Sequence, residues 1–256
     1  MEIKPQGYIL NTNQEGYFEN PFTYENINSE SKEILSKLMY TIVSENQDKI
    51  HSIYVRGSFA GNYRVKNYSD IDLIIIYDQP LINLPEYFAW KDSIFKLDLE
   101  LMPIQSLQDF DKRFGTHFMI KTQSVHLYGK DISLDIQEFK ADKKSASKFG
   151  WNIPKLINKT KIFLEEPNQD LNEKTKWICR AIIRASVTLF MDREKIYTRD
   201  LVYCYRYFSK YYPEYEPQMK ILLEQAINPT FTKEELLLFL DDFGLKLAEI
   251  ISEYHS

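Results

Sequence analysis

The chain has only two cysteines, Cys179 and Cys204, in 256 residues. Two thiols cannot build a disulfide framework, and they lack the tight spacing of a metal knuckle. Both are expected to be buried as small apolar residues. Long apolar runs are also missing. No stretch reaches the roughly 18 residues that a membrane span needs, and the segment Met1 to Asn20 has neither the charged head nor the apolar run of a secretory signal. A cytoplasmic protein with no membrane partner is the expectation. Positive charge is in deficit, with 32 Lys and Arg against 37 Asp and Glu and a net charge of -5. A broad nucleic-acid-binding surface needs the opposite excess to replace phosphate counterions. Nucleic acid is therefore not the expected partner, although a small basic pocket is compatible with the sum. There is no internal repeat or low-complexity tract, and His51, His117, His126 and His255 share no metal-ligand spacing.

What remains is the composition of a globular chain, 44% hydrophobic and 27% charged, long enough for one large domain or two modest ones. Residues 1–28 show no period and read as an irregular lead-in. Ile34, Leu35, Leu38, Met39, Ile42 and Val43 share one face of a helix over about 29–47. A strand over Ile50–Arg56 follows, then a polar loop, then a β-branched run Ile71–Tyr77 that reads as a buried strand. A helix is expected around Pro85–Ile94. The segment Phe95–Met102 alternates as a strand, with Phe95, Leu97, Leu99 and Leu101 opposite Lys96, Asp98, Glu100 and Met102. Another helix lies within 104–132, which ends in the turn-like Leu127-Tyr128-Gly129-Lys130-Asp131. Beyond about 135 helical periodicity dominates through 141–165, 172–192, 199–212, 216–227 and 233–254. Thr198 and Thr232 look like N-caps, and Thr232 with Glu235 fits a capping box. The fold class is thus α/β (α+β). A small mixed sheet flanked by helices occupies 1–135, and an all-α helical bundle occupies 136–256.

The informative stretch is Arg56-Gly57-Ser58-Phe59-Ala60-Gly61, a polar loop, then Ser69-Asp70-Ile71-Asp72-Leu73. Gly57 ends a strand where only glycine turns sharply and lets the backbone approach a phosphate. Ser58 can then offer its hydroxyl and N–H to phosphate oxygens. Asp70 and Asp72 lie two apart on a strand, so their carboxylates share a face. Two hard oxygen ligands beside a phosphate cradle suit Mg²⁺, which takes one or two carboxylates together with phosphate oxygens and water. A third carboxylate from the neighbouring strand would complete the set, sharing a metal or taking the proton of an attacking hydroxyl. Asp98 and Glu100 share a face there, and Asp98 is favoured. Arg64 and Lys66 stand in the loop before Asp70. Tyr203, Tyr205 and Tyr207 alternate by two within a helical segment, so they cannot form one stripe.

Gly57-Ser58 followed by Asp70-Ile71-Asp72 resembles the glycine-serine and double-aspartate signature of the polymerase-β-like nucleotidyltransferases. The layout is closest to the bacterial streptomycin and spectinomycin adenylyltransferases, in which a helical domain follows the catalytic one. Arg184 through Thr198-Arg199-Asp200-Leu201 is similar to their helix, turn and Pro-Lys-Asp-Val segment, with Arg for Lys and a longer turn. The resemblance implies an adenylyltransferase with ATP as donor, a pair of Mg²⁺ ions on Asp70, Asp72 and Asp98, and catalytic roles for Asp98 and Glu100. It also implies nucleotide contacts from Gly57, Ser58, Ser69, Arg184 and Arg199. The acceptor would be a small hydroxylated molecule, an aminoglycoside-like antibiotic in a resistance enzyme. The alternatives are transfer to tRNA or to a protein hydroxyl, and a nucleotide-binding regulatory module without turnover.

Overall fold

The computed structural model describes residues 4–64, 69–149 and 152–256. Its contacts divide the chain into two compact units. One is Phe18–Phe139; the other joins the chain up to Tyr17 with Lys140–Ser256. The sequence reading split the chain into consecutive pieces at 135/136, whereas the contacts separate the units at Phe139/Lys140 and group the start of the chain with the helices.

The first elements are strand β1 (Ile9–Asn11) and helix α1 (Ser29–Val43). The Phe18–Phe139 unit continues with β2 (Ile50–Arg56), the short helix α2 (Gly57–Gly61), β3 (Ile71–Tyr77), β4 (Tyr87–Trp90), β5 (Ser93–Pro103), α3 (Phe114–Gln123) and β6 (Val125–Gly129). The strands form a mixed sheet in the order β4-β5-β3-β2-β6, parallel at β3/β5 and antiparallel elsewhere. Period-2 alternation sends Ile53, Val55, Ile71, Leu73 and Ile75 to one face. There they pack with Ile34, Leu35, Leu38 and Ile42 of α1. Tyr54, Ile74, Ile76 and Met102 occupy the other face with Leu107, Ile120 and Ile132. Strand β3 is inner and covered on both sides, which is why it reads as a continuous apolar run.

Two local expectations are corrected. Residues 85–94 do not form a helix. Tyr87–Trp90 is an edge strand paired antiparallel with Ile94, Phe95 and Lys96, and Lys91, in the left-handed region at φ 49°, takes part in the turn. The aromatic side chains fit a pleated surface better than a helix. The segment after Ser124 is also more than a turn, because Val125–Gly129 pairs with β2 before the chain bends. The Tyr54 hydroxyl, buried on β2, holds that bend by donating to Asp131 Oδ1 (2.9 Å) and accepting from the Ile132 N–H (2.7 Å).

In the other unit the helices are α4 (Lys143–Lys148), α5 (Ile153–Glu165), α6 (Leu171–Ala185), α7 (Met191–Glu194), α8 (Leu201–Tyr211), α9 (Glu216–Ile227), α10 (Lys233–Phe239) and α11 (Leu245–His255), with a π-helical turn over Leu240–Gly244. The unit is not wholly helical, since β7 (Ile196–Thr198) pairs antiparallel with β1. Asp200 explains why the chain start belongs here. Its Oδ1 caps α8 by accepting from the N–H groups of Val202 and Tyr203, while Oδ2 accepts from Gln6 and Gly7 at 2.8 Å each. The N-cap of α8 is therefore Asp200 and not Thr198, whose hydroxyl donates to the Tyr8 carbonyl. The Thr232–Glu235 capping box is formed as expected. Cys179 and Cys204 are free and fully buried, as expected. Tyr207 stacks on Phe190, and the Tyr205 hydroxyl bonds Glu216. Among the described residues no helix is long and apolar enough to cross a membrane.

Candidate active site

The carboxyl end of β3 is not where the acidic residues gather; they lie at its start, beside the end of β2. The antiparallel register sets Arg56 opposite Asp72, and the parallel register sets Asp72 opposite Asp98. Paired residues on adjacent strands point to the same face. Arg56, Asp72 and Asp98 therefore form one row across three strands, with Glu100 one step further along, opposite Ile74.

Gly57 makes the row possible. Its φ is +68°, and a Cβ there would lie 2.3 Å from Asp72 Oδ2. Only a residue without a side chain both adopts that turn and leaves room for the carboxylate. Ser58, half-buried, follows directly. The Ser58 carbonyl accepts from the N–H groups of Asn62 and Tyr63, and Asn62 closes the helix in the left-handed region at φ 57°. Asn62 Oδ1 in turn accepts from the backbone and side-chain N–H groups of Asn28, at 3.0 Å each. Asn28 is itself the N-cap of α1. Phe59 and Ala60 are fully buried, with Phe59 edge-on to Phe95 at 5.7 Å. Burying an aromatic of that size contributes about 1.5–3 kcal/mol. The turn after Gly57 is thus bolted to both the core and a neighbouring helix.

The electrostatics are unbalanced towards negative charge. Arg56 Nη1 lies 3.5 Å from Asp72 Oδ1, and Nη2 donates to Asp98 Oδ2 at 3.2 Å. Even so, the Asp72 carboxyl is pushed up from 3.8 to about 6. Burial is the largest cause, Arg56 opposes it, and Asp98 and Asp70 add like-charge repulsion. Asp70, exposed just before β3, and Asp98, with 58% of its side chain exposed, face solvent more than Asp72 at 23%. Glu100 is engaged differently, because its Oε1 accepts from the hydroxyl of the buried Thr116 on α3 at 3.1 Å. Ser69 is half-buried beside Asp70.

The loop cations divide. Arg64 is not poised in solvent; it pairs with Glu30 at 2.5 Å and lies over the rings of Phe59 and Phe95. Lys66 lies outside the described residues. Arg56, by contrast, belongs to the motif without a role that the sequence assigns. Its signal was the place immediately before Gly57, but only the strand register shows that it faces Asp72. The histidines pack or sit at the surface. His117, for example, stacks on Phe110 at 5.0 Å, and burial is the main cause that lowers its pKa. Among the described residues no three His, Cys, Asp or Glu side chains close into a metal cage.

Within the helical unit Arg184 and Arg199 do converge. Arg184 Nε donates to the Arg199 carbonyl at 3.1 Å, and burial, followed by the nearby Arg199 charge, lowers the Arg184 pKa to about 10. No carboxylate pairs with either among the described residues. Arg184 also lines a cavity of about 200 Å³ with Glu173, Lys176, Trp177, Arg180 and Ala181.

No known family profile matches the chain, and no curated protein matches it. Among solved structures it is similar to a spectinomycin adenyltransferase AAD(9) from Enterococcus faecialis, crystallised with ATP and spectinomycin. That pair shares 12% identity and a TM-score of 0.47, over 88% of this chain and 99% of the other. A nucleotidyltransferase-like protein from Exiguobacterium sibiricum 255-15 shares 13% identity over 86% and 77% of the two chains, with a TM-score of 0.35.

Proposed function

We propose that the chain is a metal-dependent nucleotidyltransferase that moves AMP from ATP onto a hydroxyl of a small acceptor and releases pyrophosphate. The observation that carries this reading is the row of Asp72 and Asp98 beside the Gly57 turn, with Asp70 adjacent. Its chemistry fits Mg²⁺. The donors are hard carboxylate oxygens, and two or three of them with phosphate oxygens suffice, so a closed protein cage is not needed. Burial raises the Asp72 carboxyl despite Arg56, and the like charges of Asp98 and Asp70 add to that, a repulsion that a divalent cation would offset.

Asp70, Asp72 and Asp98 would hold the metal. When bound, Mg²⁺ supplies neutralising charge to the donor phosphates and the departing pyrophosphate. Ser58, placed by the Gly57 turn, offers a hydroxyl and an N–H to phosphate oxygens. The acceptor oxygen attacks the α-phosphorus, the bond from that phosphorus to the bridging oxygen breaks, and pyrophosphate leaves. The acceptor proton passes to a carboxylate of the Asp98/Glu100 pair. An aminoglycoside-like cation is the proposed acceptor class, consistent with the acidic balance of the chain. The direct test incubates the protein with α-labelled ATP, Mg²⁺ and a panel headed by streptomycin and spectinomycin, then follows the label. Label moving to a small molecule is the expected result. Pyrophosphate release with label on protein or RNA would replace the acceptor class, and no release under any condition would end the enzymatic reading.

The two acidic residues of β5 should not be equivalent. Asp98 stands in register with Asp72, whereas Glu100 is held by Thr116. Asp98→Asn should lower the transfer rate by at least about 10²-fold, the scale of losing one charged group aimed at a transition state, and Glu100→Gln by much less. The reverse ranking would move the role to Glu100.

Arg184 and Arg199 are proposed, separately, to bind the polyphosphate, because two uncompensated guanidinium groups suit a multiply charged anion. Arg184→Ala and Arg199→Ala should each weaken ATP binding by about tenfold, on the scale of a lost charge-assisted hydrogen bond, while the exposed Arg206→Ala should not. Unchanged affinity in both variants would remove Arg184 and Arg199 from the nucleotide-binding residues.

A further inference from the structure

We propose that Arg56 occupies, in the metal-free protein, the position of a divalent cation between Asp72 and Asp98, and that metal loading displaces it. The inference rests on the metal-site reading above and concerns what the site does before metal arrives.

The geometry is that of a bridging counter-ion. Arg56 does not hold one carboxylate in the bidentate fork that makes arginine–carboxylate pairs strong. Its two terminal nitrogens are split, one 3.5 Å from Asp72 Oδ1 and the other 3.2 Å from Asp98 Oδ2. The third donor, Nε, is buried without a hydrogen-bond partner among the described residues. The guanidinium is therefore placed by charge and only partly satisfied by hydrogen bonds, so its present seat is a shallow one. Only 16% of its side chain is exposed, so water screens it weakly from the carboxylates. A divalent ion on the same oxygens would sit within a few ångströms of the guanidinium, and two cations at that separation in a half-buried site repel strongly. One must leave, and the arginine has a flexible stem while the carboxylates are fixed on paired strands. The consequence is a site whose carboxylates stay together without metal, but which binds bare metal more weakly than its acidic residues alone would.

The test measures Mn²⁺ binding to the full chain by electron paramagnetic resonance, with no nucleotide present. Arg56→Gln keeps hydrogen-bonding capacity without charge and should bind Mn²⁺ about tenfold more tightly than the wild type, an order of magnitude set by removing one nearby cation. Arg56→Lys keeps the charge and should stay near the wild type. Asp72→Asn should lose binding. If Asp72→Asn loses binding but Arg56→Gln is unchanged or weaker, this inference fails while the metal site stands. Equal tightening by Gln and Lys would also overturn it, because charge would not be the cause. Binding alike in wild type and Asp72→Asn would remove the metal site and the inference together. Should Arg56→Gln not fold, the guanidinium ¹⁵N signal of the wild type provides the same decision. It should shift on Mg²⁺ addition and not shift in Asp72→Asn, and a signal indifferent to Mg²⁺ in the wild type would overturn the proposal.

Discussion

Asp72→Asn is expected to abolish transfer and, at pH 8, to make the ligand-free protein more stable. The first effect follows from removing a formal charge at the centre of the carboxylate row, with a loss of at least about 10²–10³-fold. The second follows from the proton. Asp72 holds its proton more tightly folded than unfolded, because burial and the neighbouring Asp98 and Asp70 raise its carboxyl from 3.8 to about 6. A raised carboxyl contributes stability that is fully present below its unfolded value near pH 4 and is lost as pH rises through about 6. At pH 8 the ionised side chain therefore costs up to about 2–3 kcal/mol, a cost that asparagine avoids. The melting temperature should rise by roughly 5 °C at pH 8, and the gain should vanish near pH 4, where both side chains are neutral. A variant that melts lower by the same amount at both pH values would show that Arg56 outweighs burial. Near-native turnover with Mg²⁺ would dismiss Asp72 as a metal ligand.

Gly57→Ala should damage both transfer and stability. It meets two penalties at once. An L-residue held at φ +68° costs about 1–2 kcal/mol, and the new Cβ would lie 2.3 Å from Asp72 Oδ2. Relief requires Asp72 to swing out of the row or β2 to part from β3, so we expect at least about a 10²-fold loss of transfer. The accompanying loss of stability should be about 2–4 kcal/mol. Because the clash is with one carboxylate, the cost should depend on it. Combined with Asp72→Ala, Gly57→Ala should cost only its backbone share, giving a coupling of at least about 1 kcal/mol in a double-mutant cycle read by denaturant melts. Additive costs would mean that the two residues do not touch.

How these residues come together divides by the range of the interaction. Local physics was legible in the residues themselves. The bounds of β2 and β3, Ile50–Arg56 and Ile71–Tyr77, follow from β-branched runs ended by Gly57 and Asp78. The capping box at Thr232 follows from two side chains three residues apart. The adjacency of Gly57, Ser58, Asp70 and Asp72 in one motif could be recognised because short spacings constrain geometry directly. Elsewhere local pattern misled or was silent. Residues 85–94 read as a helix, yet Tyr87–Trp90 is a strand, because pairing along β5 offsets any local preference. The start of the chain read as structureless, yet Ile9–Asn11 pairs with Ile196–Thr198 and Asp200 ties down Gln6 and Gly7.

The sequence by itself thus determined the candidate residues and on which kind of element each lies, since propensity, periodicity and capping act over a few neighbouring positions. Only the tertiary structure decided which of them meet. Asp98 rather than Glu100 stands opposite Asp72, and Arg56 faces both acids, through strand registers that join residues 16 and 26 positions apart (72 − 56 and 98 − 72). A shift of one residue in either register would turn these side chains to the other face. That register is chosen by the burial of whole strands against α1 and α3, a sum over many side chains that no short window contains.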